Sequence, residues 1–256
     1  MISTYTASMN DYDTILKIED DFNGWDPNSF DIPFNYKQFV NRVLIPRGLI
    51  DEQVQRIAGQ IFYDYTYSNS VNNTSCDTTS NDLNVNGSPS HSSCHRSRLQ
   101  LVCILKGASI FFHQLFDELQ QIKRSHLRTV LPSQYLEISL HYLRTRSYRG
   151  TISIGTVEMN LDNIFKELDP SQPILLVEDI IDTGRTLSNL LSQFNKFSKK
   201  IKIVSLCKKR LRKSPEHDIQ PNYCCFSIPD RYIIGYGFDI DDRFRDMDHI
   251  CTTTKE

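Results

Sequence analysis

Residues 174–187 read Ile-Leu-Leu-Val-Glu-Asp-Ile-Ile-Asp-Thr-Gly-Arg-Thr-Leu. The apolar run Ile174–Val177 predicts a buried strand, and Glu178 and Asp179 follow it as adjacent carboxylates. A short loop rich in Asp, Thr and Gly comes next, and apolar residues at helical spacing from Leu187 onward predict a helix. Strand, acids, loop and helix therefore follow one another in a single short stretch, an order suited to a binding site at a strand end.

The loop from Asp182 to Thr186 is predicted to bind an anion. It presents backbone N–H groups at a helix N-terminus, where the helix dipole also favours negative charge. Thr183 and Thr186 add hydroxyl donors, and Gly184 lets the backbone approach a ligand closely. Taken singly, an acid pair at a strand end is usually solvated, and Asp-Thr-Gly is often a plain helix cap. The combination favours a sugar phosphate, whose hydroxyls the two preceding carboxylates would bind.

Strands alternate with helices along most of the chain, which predicts a mainly parallel sheet with helices on both faces. The predicted strands are Leu101–Leu105, Leu136–Tyr142, Ile174–Val177, Ile201–Leu206 and Tyr232–Tyr236. Helical spacing of apolar residues predicts helices over Asp51–Phe62, Ile110–Ile122 and Leu187–Phe197. In such doubly wound sheets, ligands bind at the C-terminal ends of the strands.

Composition argues against several classes of protein. The 256 residues carry 29 Lys plus Arg against 31 Asp plus Glu, so the net charge of −2 lacks the basic excess of a nucleic-acid coat. The apolar runs are far shorter than the ~20 residues that cross a bilayer. Residues Met1–Asn10 lack the basic and apolar regions of a secretory signal, so we expect a cytoplasmic protein. Seven irregularly spaced cysteines favour reduced thiols over disulfides.

One segment departs from this composition. Residues Ser68–Arg98 hold nine Ser, six Asn and three Thr, with few large apolar residues. Such a stretch buries too little surface to offset the entropy of ordering, so we predict one domain over residues 1–256 with a disordered insertion at 68–98. The segment also contains residues that bind zinc in other proteins, but their spacing matches no standard zinc site: Cys76, His91, Cys94 and His95.

The stretch 174–187 resembles the phosphoribosyl-pyrophosphate (PRPP) signature of the type I phosphoribosyltransferases, in particular their hypoxanthine-guanine members. Other segments resemble further motifs of that family, in the family's order: Ile45–Ile50, Leu105–Gly107, Ser147–Tyr148, Lys208–Arg210, Pro229–Tyr236 and Asp239–Asp246. The likeness covers roughly Phe34–Thr66 and Leu99–Cys251. It implies the type I phosphoribosyltransferase fold, an α/β fold whose doubly wound, mainly parallel sheet is flanked by helices. A small hood, built from the N-terminal segment and the C-terminal strands, would cover the purine site.

The resemblance implies a role for each residue of the signature. Asp182 would act as the base near purine N7 and would stabilise positive charge in the transition state. Glu178 and Asp179 would bind the ribose hydroxyls of PRPP. The 5-phosphate would be bound by the remaining residues of the loop: Ile180, Ile181, Thr183, Gly184, Arg185 and Thr186.

The later motifs would form the purine side of the site. The ammonium of Lys209 only donates hydrogen bonds, so it would pair with the O6 carbonyl of hypoxanthine or guanine and reject the 6-amino group of adenine. Tyr232 would stack on the purine, and the backbone of Ile233 would bind its edge. Arg231 belongs to the same substrate-binding segment.

The pyrophosphate side is implied by three other motifs. Lys106 and Gly107 would turn backbone N–H groups toward the pyrophosphate, at a point where the family often has an unusual peptide geometry. Arg245 would contact the pyrophosphate as a planar group with several donors. Ser147 and Tyr148 would close over the site as a lid. The implied cofactor is Mg²⁺, with three carboxylates as ligands: Asp239, Glu178 and Asp179.

The resemblance thus implies a magnesium-dependent enzyme of purine salvage, which converts hypoxanthine or guanine plus PRPP into IMP or GMP plus pyrophosphate. Its partners would be these small molecules, with no nucleic acid and no membrane, and the chain would form a homodimer or homotetramer. Two alternatives stay open. One is a phosphoribosyltransferase for another base, such as xanthine or uracil. The other is a non-enzymatic regulator that binds nucleic acid, for which the basic run Lys199–Lys213 is the only support.

Overall fold

Strands with apolar residues on both faces form the centre of the structure. The computed structural model describes residues 15–68, 97–127, 135–144, 161–212 and 217–254. Within them the six strands of the main sheet are β1 (Leu16–Lys17), β3 (Ser97–Leu105), β4 (Leu136–Arg144), β5 (Ile174–Ile181), β6 (Ile201–Arg210) and β7 (Tyr223–Pro229). Their order is β1-β7-β6-β5-β3-β4, and every neighbouring pair is parallel.

A second, smaller sheet joins the two ends of the chain. Its strands are β2 (Val40–Ile45), β8 (Ile233–Ile234) and β9 (Ile250–Thr253), in the order β2-β9-β8. Both pairs are antiparallel. We call it the small sheet. It combines the N-terminal and C-terminal segments that the sequence predicted for the hood.

Four α-helices cover the two faces of the main sheet: α1 (Arg47–Tyr63), α2 (Ser109–Leu127), α3 (Asp162–Glu167) and α4 (Arg185–Phe197). Alternate side chains of each strand point to opposite faces, so the sheet has two apolar cores. Leu101 and Cys103 pack in the core with α1 and α2, whereas Val102 and Ile104 pack in the core with α3 and α4. This two-sided arrangement confirms the predicted doubly wound α/β fold.

Several boundaries differ from the sequence-based prediction. Strand β3 begins at Ser97 rather than Leu101, β4 continues to Arg144, and β6 continues to Arg210. Strand β5 continues past Val177 to Ile181, because it stays paired with β6 through Ile180 and Ile181. The predicted strand Tyr232–Tyr236 shrinks to the two residues of β8 in the small sheet. Both ends of the segment predicted as an insertion lie in regular structure, since a π-helical turn reaches Ser68 and β3 begins at Ser97. Residues 69–96 lie outside the described part of the chain.

All five cysteines in the described ranges are buried and free: Cys103, Cys207, Cys224, Cys225 and Cys251. Burial is the main cause that raises the pKa of each thiol, so these groups are protonated. These positions agree with the prediction of reduced, buried thiols. None of the helices in the described ranges is long and apolar enough to cross a membrane.

The N-terminus of α1 is capped by a residue far away in the sequence. Pro46 precedes the helix and provides no side-chain cap, and the backbone N–H of Arg47 donates to Nδ1 of His249 at 2.9 Å. Nδ1 accepts a hydrogen bond only when it carries no proton. Burial, the largest cause, lowers the pKa of His249, and the charge of Arg47 lowers it further. The small sheet and α1 are therefore joined by a neutral imidazole.

We expect this cap to make stability depend on pH. Because the folded state lowers the pKa of His249, the contribution of the cap is complete above about pH 6.5, the ordinary value for histidine, and is lost as the pH falls through the folded pKa. His249→Ala should lower the free energy of unfolding by about 1 kcal/mol at high pH and by less in acid. Urea denaturation of both proteins at about pH 8 and pH 5 measures this difference. An equal loss at the two pH values would contradict the assignment.

Candidate active site

Two adjacent carboxylates lie near the C-terminal end of β5. Oδ1 of Asp179 accepts a hydrogen bond from the N–H of Ile180 at 2.8 Å. Burial and the neighbouring charge of Asp179 raise the pKa of Glu178 well above its ordinary value, and burial also raises the pKa of Asp179. Because the two acids are adjacent, the ionisation of one disfavours the ionisation of the other. A pair of this kind favours a cation or a cluster of hydroxyl donors beside it.

The turn after β3 lies directly against this pair. The peptide bond Leu105–Lys106 is cis, which agrees with the unusual geometry expected here. A Cβ atom added to Gly107 would overlap Oδ2 of Asp179, so only glycine permits this approach. The carbonyl oxygen of Gly107 in turn occupies the space that a side chain on Gly237 would need. The turn is therefore held between the end of β5 and the loop that contains Gly237.

Two cations and two carboxylates lie together at this edge. Arg245 pairs with Oδ1 of Asp239 at 2.7 Å and with Oδ1 of Asp242 at 3.1 Å, and it donates to the carbonyl of Gly237 at 2.6 Å. Lys106 Nζ lies 3.1 Å from Oδ1 of Asp242, and its hydrogen bond lowers the pKa of that carboxyl. Asp242 was not among the residues predicted for the site, although it lies in the acidic C-terminal segment.

The charge of Arg245 also reaches the acid pair of β5, since it lowers the pKa of Asp179. The predicted residues Lys106, Gly107, Asp179, Asp239 and Arg245 are therefore brought together. They form one continuous polar surface, which we call the pyrophosphate edge.

A residue with a left-handed backbone conformation connects the loop after β5 with α4. Gly184 has φ +76° and precedes the first residue of the helix, and no side chain among the described residues caps that end. A Cβ atom on Gly184 would overlap the carbonyl oxygen of His217. The side chains of Asp182, Thr183 and Thr186 are exposed around the backbone N–H groups at the start of α4. Ile180 and Ile181, which were expected in the loop, instead pair with β6 as strand residues.

Three residues predicted for the purine side converge at the ends of β5, β6 and β7. The ammonium of Lys209 lies 3.0 Å from Oδ2 of Asp182 and 5.6 Å from the centroid of the Tyr232 ring. Only 10% of the Lys209 side chain is exposed, whereas Tyr232 is 70% exposed. An exposed aromatic face beside a largely buried donor is a suitable place for a planar ligand. A cavity of about 250 Å³ adjoins Asp182 and Lys209, and Ile181 also lines it.

One residue predicted to bind substrate, Arg231, has other partners in the structure, and the predicted lid lies outside the described residues. The guanidinium of Arg231 donates to the carbonyl oxygens of Phe22 and Asp20, each at 2.8 Å, so its side chain is engaged by the N-terminal segment. Ile233, by contrast, is buried at the start of β8, next to Tyr232. Ser147 and Tyr148, the predicted lid, lie outside the described part of the chain.

The carboxylates of the site fit a hard divalent cation that keeps most of its other ligands. Within the described residues no three His, Cys, Asp or Glu side chains lie together as a group that could hold a metal ion by themselves. Mg²⁺ usually binds one or two carboxylates and completes its shell with water and substrate phosphates. Glu178 and Asp179 are adjacent acids whose charged forms a cation would stabilise, and Asp239 pairs with Arg245, whose charge also acts on Asp179. The donor set therefore suits Mg²⁺ together with a phosphorylated ligand.

Comparison with known proteins gives the family. Residues 89–243, more than half of the chain, match the family model described as a phosphoribosyl transferase domain. The chain belongs to the phosphoribosyltransferase family. Human phosphoribosyltransferase domain-containing protein 1 is 30% identical over 242 residues, which are 94% of this phosphoribosyltransferase and 91% of the relative. The hypoxanthine-guanine-xanthine phosphoribosyltransferase of Plasmodium falciparum is 29% identical over 251 residues, 98% of this chain and 92% of the relative.

A solved structure agrees with this assignment. The crystal structure of hypoxanthine-guanine phosphoribosyltransferase from Schistosoma mansoni in complex with IMP superposes with a TM-score of 0.65 at 27% identity. The match covers 94% of this phosphoribosyltransferase and 95% of that chain. The predicted type I phosphoribosyltransferase fold is therefore confirmed.

We expect the close contact between Gly107 and Asp179 to affect the free energy of unfolding. Gly107→Ala should lower the free energy of unfolding by about 1–3 kcal/mol, because the added methyl group forces Asp179 or the turn to move. The matched control is Gly59→Ala in α1, where a Cβ atom meets nothing within 4 Å. That change should raise stability by about 0.5–1 kcal/mol. Urea denaturation compares the two, and a stabilising Gly107→Ala would show that the turn does not touch Asp179.

Proposed function

We propose that this phosphoribosyltransferase transfers the 5-phosphoribosyl group from PRPP to N9 of hypoxanthine or guanine, in purine salvage. The products would be IMP or GMP and pyrophosphate. The observation that carries the proposal is the convergence of Lys209, Asp182 and Tyr232 beside an uncapped helix N-terminus. The names of the relatives support the same class of substrate.

Purine recognition would depend on Lys209. Its ammonium is largely buried and lies beside Asp182, so it can donate to a 6-oxo group. Adenine presents an amino group at that position, which would leave two donors facing each other without an acceptor. Tyr232 would stack on one face of the base, and the backbone of Ile233 would bind its edge. Arg231 would support this segment from behind, since its side chain is held by Asp20 and Phe22.

The ribose 5-phosphate would bind across the end of β5. Glu178 and Asp179 would accept hydrogen bonds from the two ribose hydroxyls, which would stabilise the charged forms of both acids. The N–H groups of residues 183–186 and the hydroxyls of Thr183 and Thr186 would hold the 5-phosphate. Arg185 lies exposed in the same turn.

Asp182 would act at the reacting atoms. As N9 of the purine forms its bond to the anomeric carbon, the bond from that carbon to pyrophosphate breaks, and the purine loses the proton on N7. The Asp182 carboxylate would accept that proton and would stabilise the positive charge that develops on the ribose. Its ion pair with Lys209 supports this role, because Lys209 would bind the same base.

The leaving group would be held at the pyrophosphate edge. The backbone N–H groups of the Lys106–Gly107 turn and the guanidinium of Arg245 would bind its oxygens. Glu178, Asp179 and Asp239 would hold Mg²⁺, which neutralises charge on the pyrophosphate when bound. Asp239 and Asp242 now engage Arg245 and Lys106, so they keep both cations at this edge until an anionic ligand arrives.

Other parts of the proposal concern the whole molecule. Ser147 and Tyr148 would exclude water as a lid during the reaction. We further propose a single domain, assembled as a homodimer or homotetramer in the cytoplasm, with the Ser- and Asn-rich segment as an insertion. Size-exclusion chromatography with light scattering determines the number of subunits.

Xanthine is a second candidate base. A relative that is similar over 98% of this chain is named for hypoxanthine, guanine and xanthine. Xanthine also carries a 6-oxo group, which Lys209 would bind in the same way.

The charges of the basic run Lys199–Lys213 argue against a regulator that binds nucleic acid. Four of its cations are paired with acids from other segments: Lys202 with Asp64, Lys208 with Asp218, Lys209 with Asp182 and Arg210 with Asp20. A phosphate backbone needs a continuous surface of unpaired cations.

A panel of bases tests the proposal directly. The purified chain is incubated with PRPP, Mg²⁺ and one base at a time, and released pyrophosphate is measured. We expect turnover with hypoxanthine and guanine and none with adenine. Lys209→Met should raise the KM for hypoxanthine about 10- to 100-fold, because it removes a charged hydrogen bond of about 1.5–3 kcal/mol. Efficient use of adenine by the unmodified protein would refute the role of Lys209.

The role of Asp182 is tested by a substitution that keeps its shape. Asp182→Asn should lower kcat by about 10²- to 10⁴-fold, because an amide cannot accept the proton, while the KM for PRPP stays nearly the same. Asp117→Asn, an exposed position on α2, is the matched control. Unchanged turnover in Asp182→Asn would remove this residue from the chemistry.

A further inference from the structure

The N-terminal segment Leu16–Phe22, which we call the strap, lies along the edge of the main sheet. Its strand β1 is only two residues long and pairs with Phe226 and Ser227 of β7. The N–H of Ile18 then donates to the carbonyl of Ser227 at 2.9 Å. Beyond Ile18 the strap leaves the sheet and passes the C-terminal ends of β6 and β7. Its position there depends on side chains.

Arg210 holds the middle of the strap. Its guanidinium donates to the carbonyl of Ile18 at 2.5 Å, to Oδ1 of Asp20 at 2.6 Å and to Oγ of Ser227 at 3.0 Å. A planar guanidinium that binds three acceptors at fixed angles restricts the strap more than a flexible ammonium would. Arg210 therefore links the end of β6, the strap and β7.

Arg231 holds the next turn of the strap. Its two terminal nitrogens donate to the carbonyl oxygens of Phe22 and Asp20, each at 2.8 Å. Asp20 is thus shared, since its side chain binds Arg210 and its backbone carbonyl binds Arg231.

Both arginines are direct chain neighbours of the residues proposed to bind the purine. Arg210 follows Lys209, and Arg231 precedes Tyr232. When the side chains of Arg210 and Arg231 are bound to the strap, the backbone at these residues can move less. The neighbouring residues Lys209 and Tyr232 are then restricted as well, so the strap limits the distance between their side chains. That separation is 5.6 Å from the ammonium to the ring centroid, with Tyr232 itself exposed and little packed.

We propose that Asp20, Arg210 and Arg231 form a clamp that sets the width of the purine pocket by fixing the strap between the segments that carry Lys209 and Tyr232. The proposal rests on the proposed function, because it assigns a role in purine binding to groups that do not touch the purine. Asp20, Arg210 and Arg231 are accordingly positioning residues. A small displacement of groups that orient a substrate is enough to weaken its binding severalfold.

The clamp contributes little to global stability, which makes its effect on binding measurable. The side chain of Asp20 is 73% exposed and that of Arg210 is 26% exposed, and ion pairs so close to solvent stabilise folded proteins weakly. Loss of the Asp20 carboxylate should therefore leave the fold and the PRPP side intact. Only the purine side depends on where the strap lies.

The decisive comparison is Asp20→Ala with Asp21→Ala. Both remove one exposed carboxylate from adjacent positions, but only Asp20 contacts Arg210. We expect Asp20→Ala to raise the KM for hypoxanthine and the Kd for IMP about fivefold or more, with the KM for PRPP and kcat within about twofold of the unmodified protein. Asp21→Ala should match the unmodified protein in all four constants.

A second variant tests the other arginine without a loss of charge. Arg231→Lys keeps the cation but cannot bind both carbonyl oxygens in one plane, so it should raise the KM for hypoxanthine in the same selective way. Trp25 is the only tryptophan, and its ring lies edge-on to Phe22 with 4.7 Å between centroids. Both clamp variants should increase quenching of Trp25 fluorescence by acrylamide, which reports release of the strap.

The possible results separate the clamp from the proposed function. An unmodified protein that neither turns over hypoxanthine nor binds IMP overturns both. An active protein whose Asp20→Ala and Asp21→Ala variants have the same KM for hypoxanthine overturns the clamp alone. Equal rises in the KM values for hypoxanthine and PRPP, with a lower melting temperature, also overturn it, because they indicate a general structural role.

Discussion

The whole site depends on the parallel pairing of β5 with β3 on one side and β6 on the other. Parallel strands place their C-terminal ends at one edge of the sheet, so the segments that follow them must meet there. The turn after β3 then rests on the carboxylate of Asp179, and the end of β6 brings Lys209 to Asp182. No long loop is needed to assemble these groups, because backbone hydrogen bonds of the sheet already determine their distances.

The charges at the centre of that edge differ from those at its flanks. Two acids with raised pKa values lie at the centre, and each flank carries ion pairs between cations and carboxylates. Such an arrangement keeps buried charges compensated while no ligand is bound, and it leaves donors that an anion can take over. The same arrangement continues on β6, where acids from other segments pair with Lys208 and Arg210.

The local parts of this structure could be predicted from the sequence, and the long-range parts could not. The order of strand, acids and loop at residues 174–187 is local, so apolar runs and turn residues were sufficient to place it. The extension of β5 to Ile181 depends on pairing with β6, and the short strand β1 is formed only through its contact with β7. The direction of Arg231 is likewise set by the strap, whose sequence carries no signal that connects it with residue 231. Family resemblance supplied the roles of Lys209 and Tyr232, and the structure adds how close they lie.

The buried thiols offer a way to watch this architecture open. Cys103 and Cys207 lie in the main sheet, whereas Cys251 lies in the small sheet, and all three are inaccessible in the folded protein. A thiol reagent can reach each of them only when its surroundings unfold locally, so the labelling rate of each cysteine measures the free energy of that opening. Faster labelling of Cys251 than of Cys103 would mean that the small sheet opens while the main sheet stays folded. The cysteines are therefore natural reporters of independent opening of the two sheets.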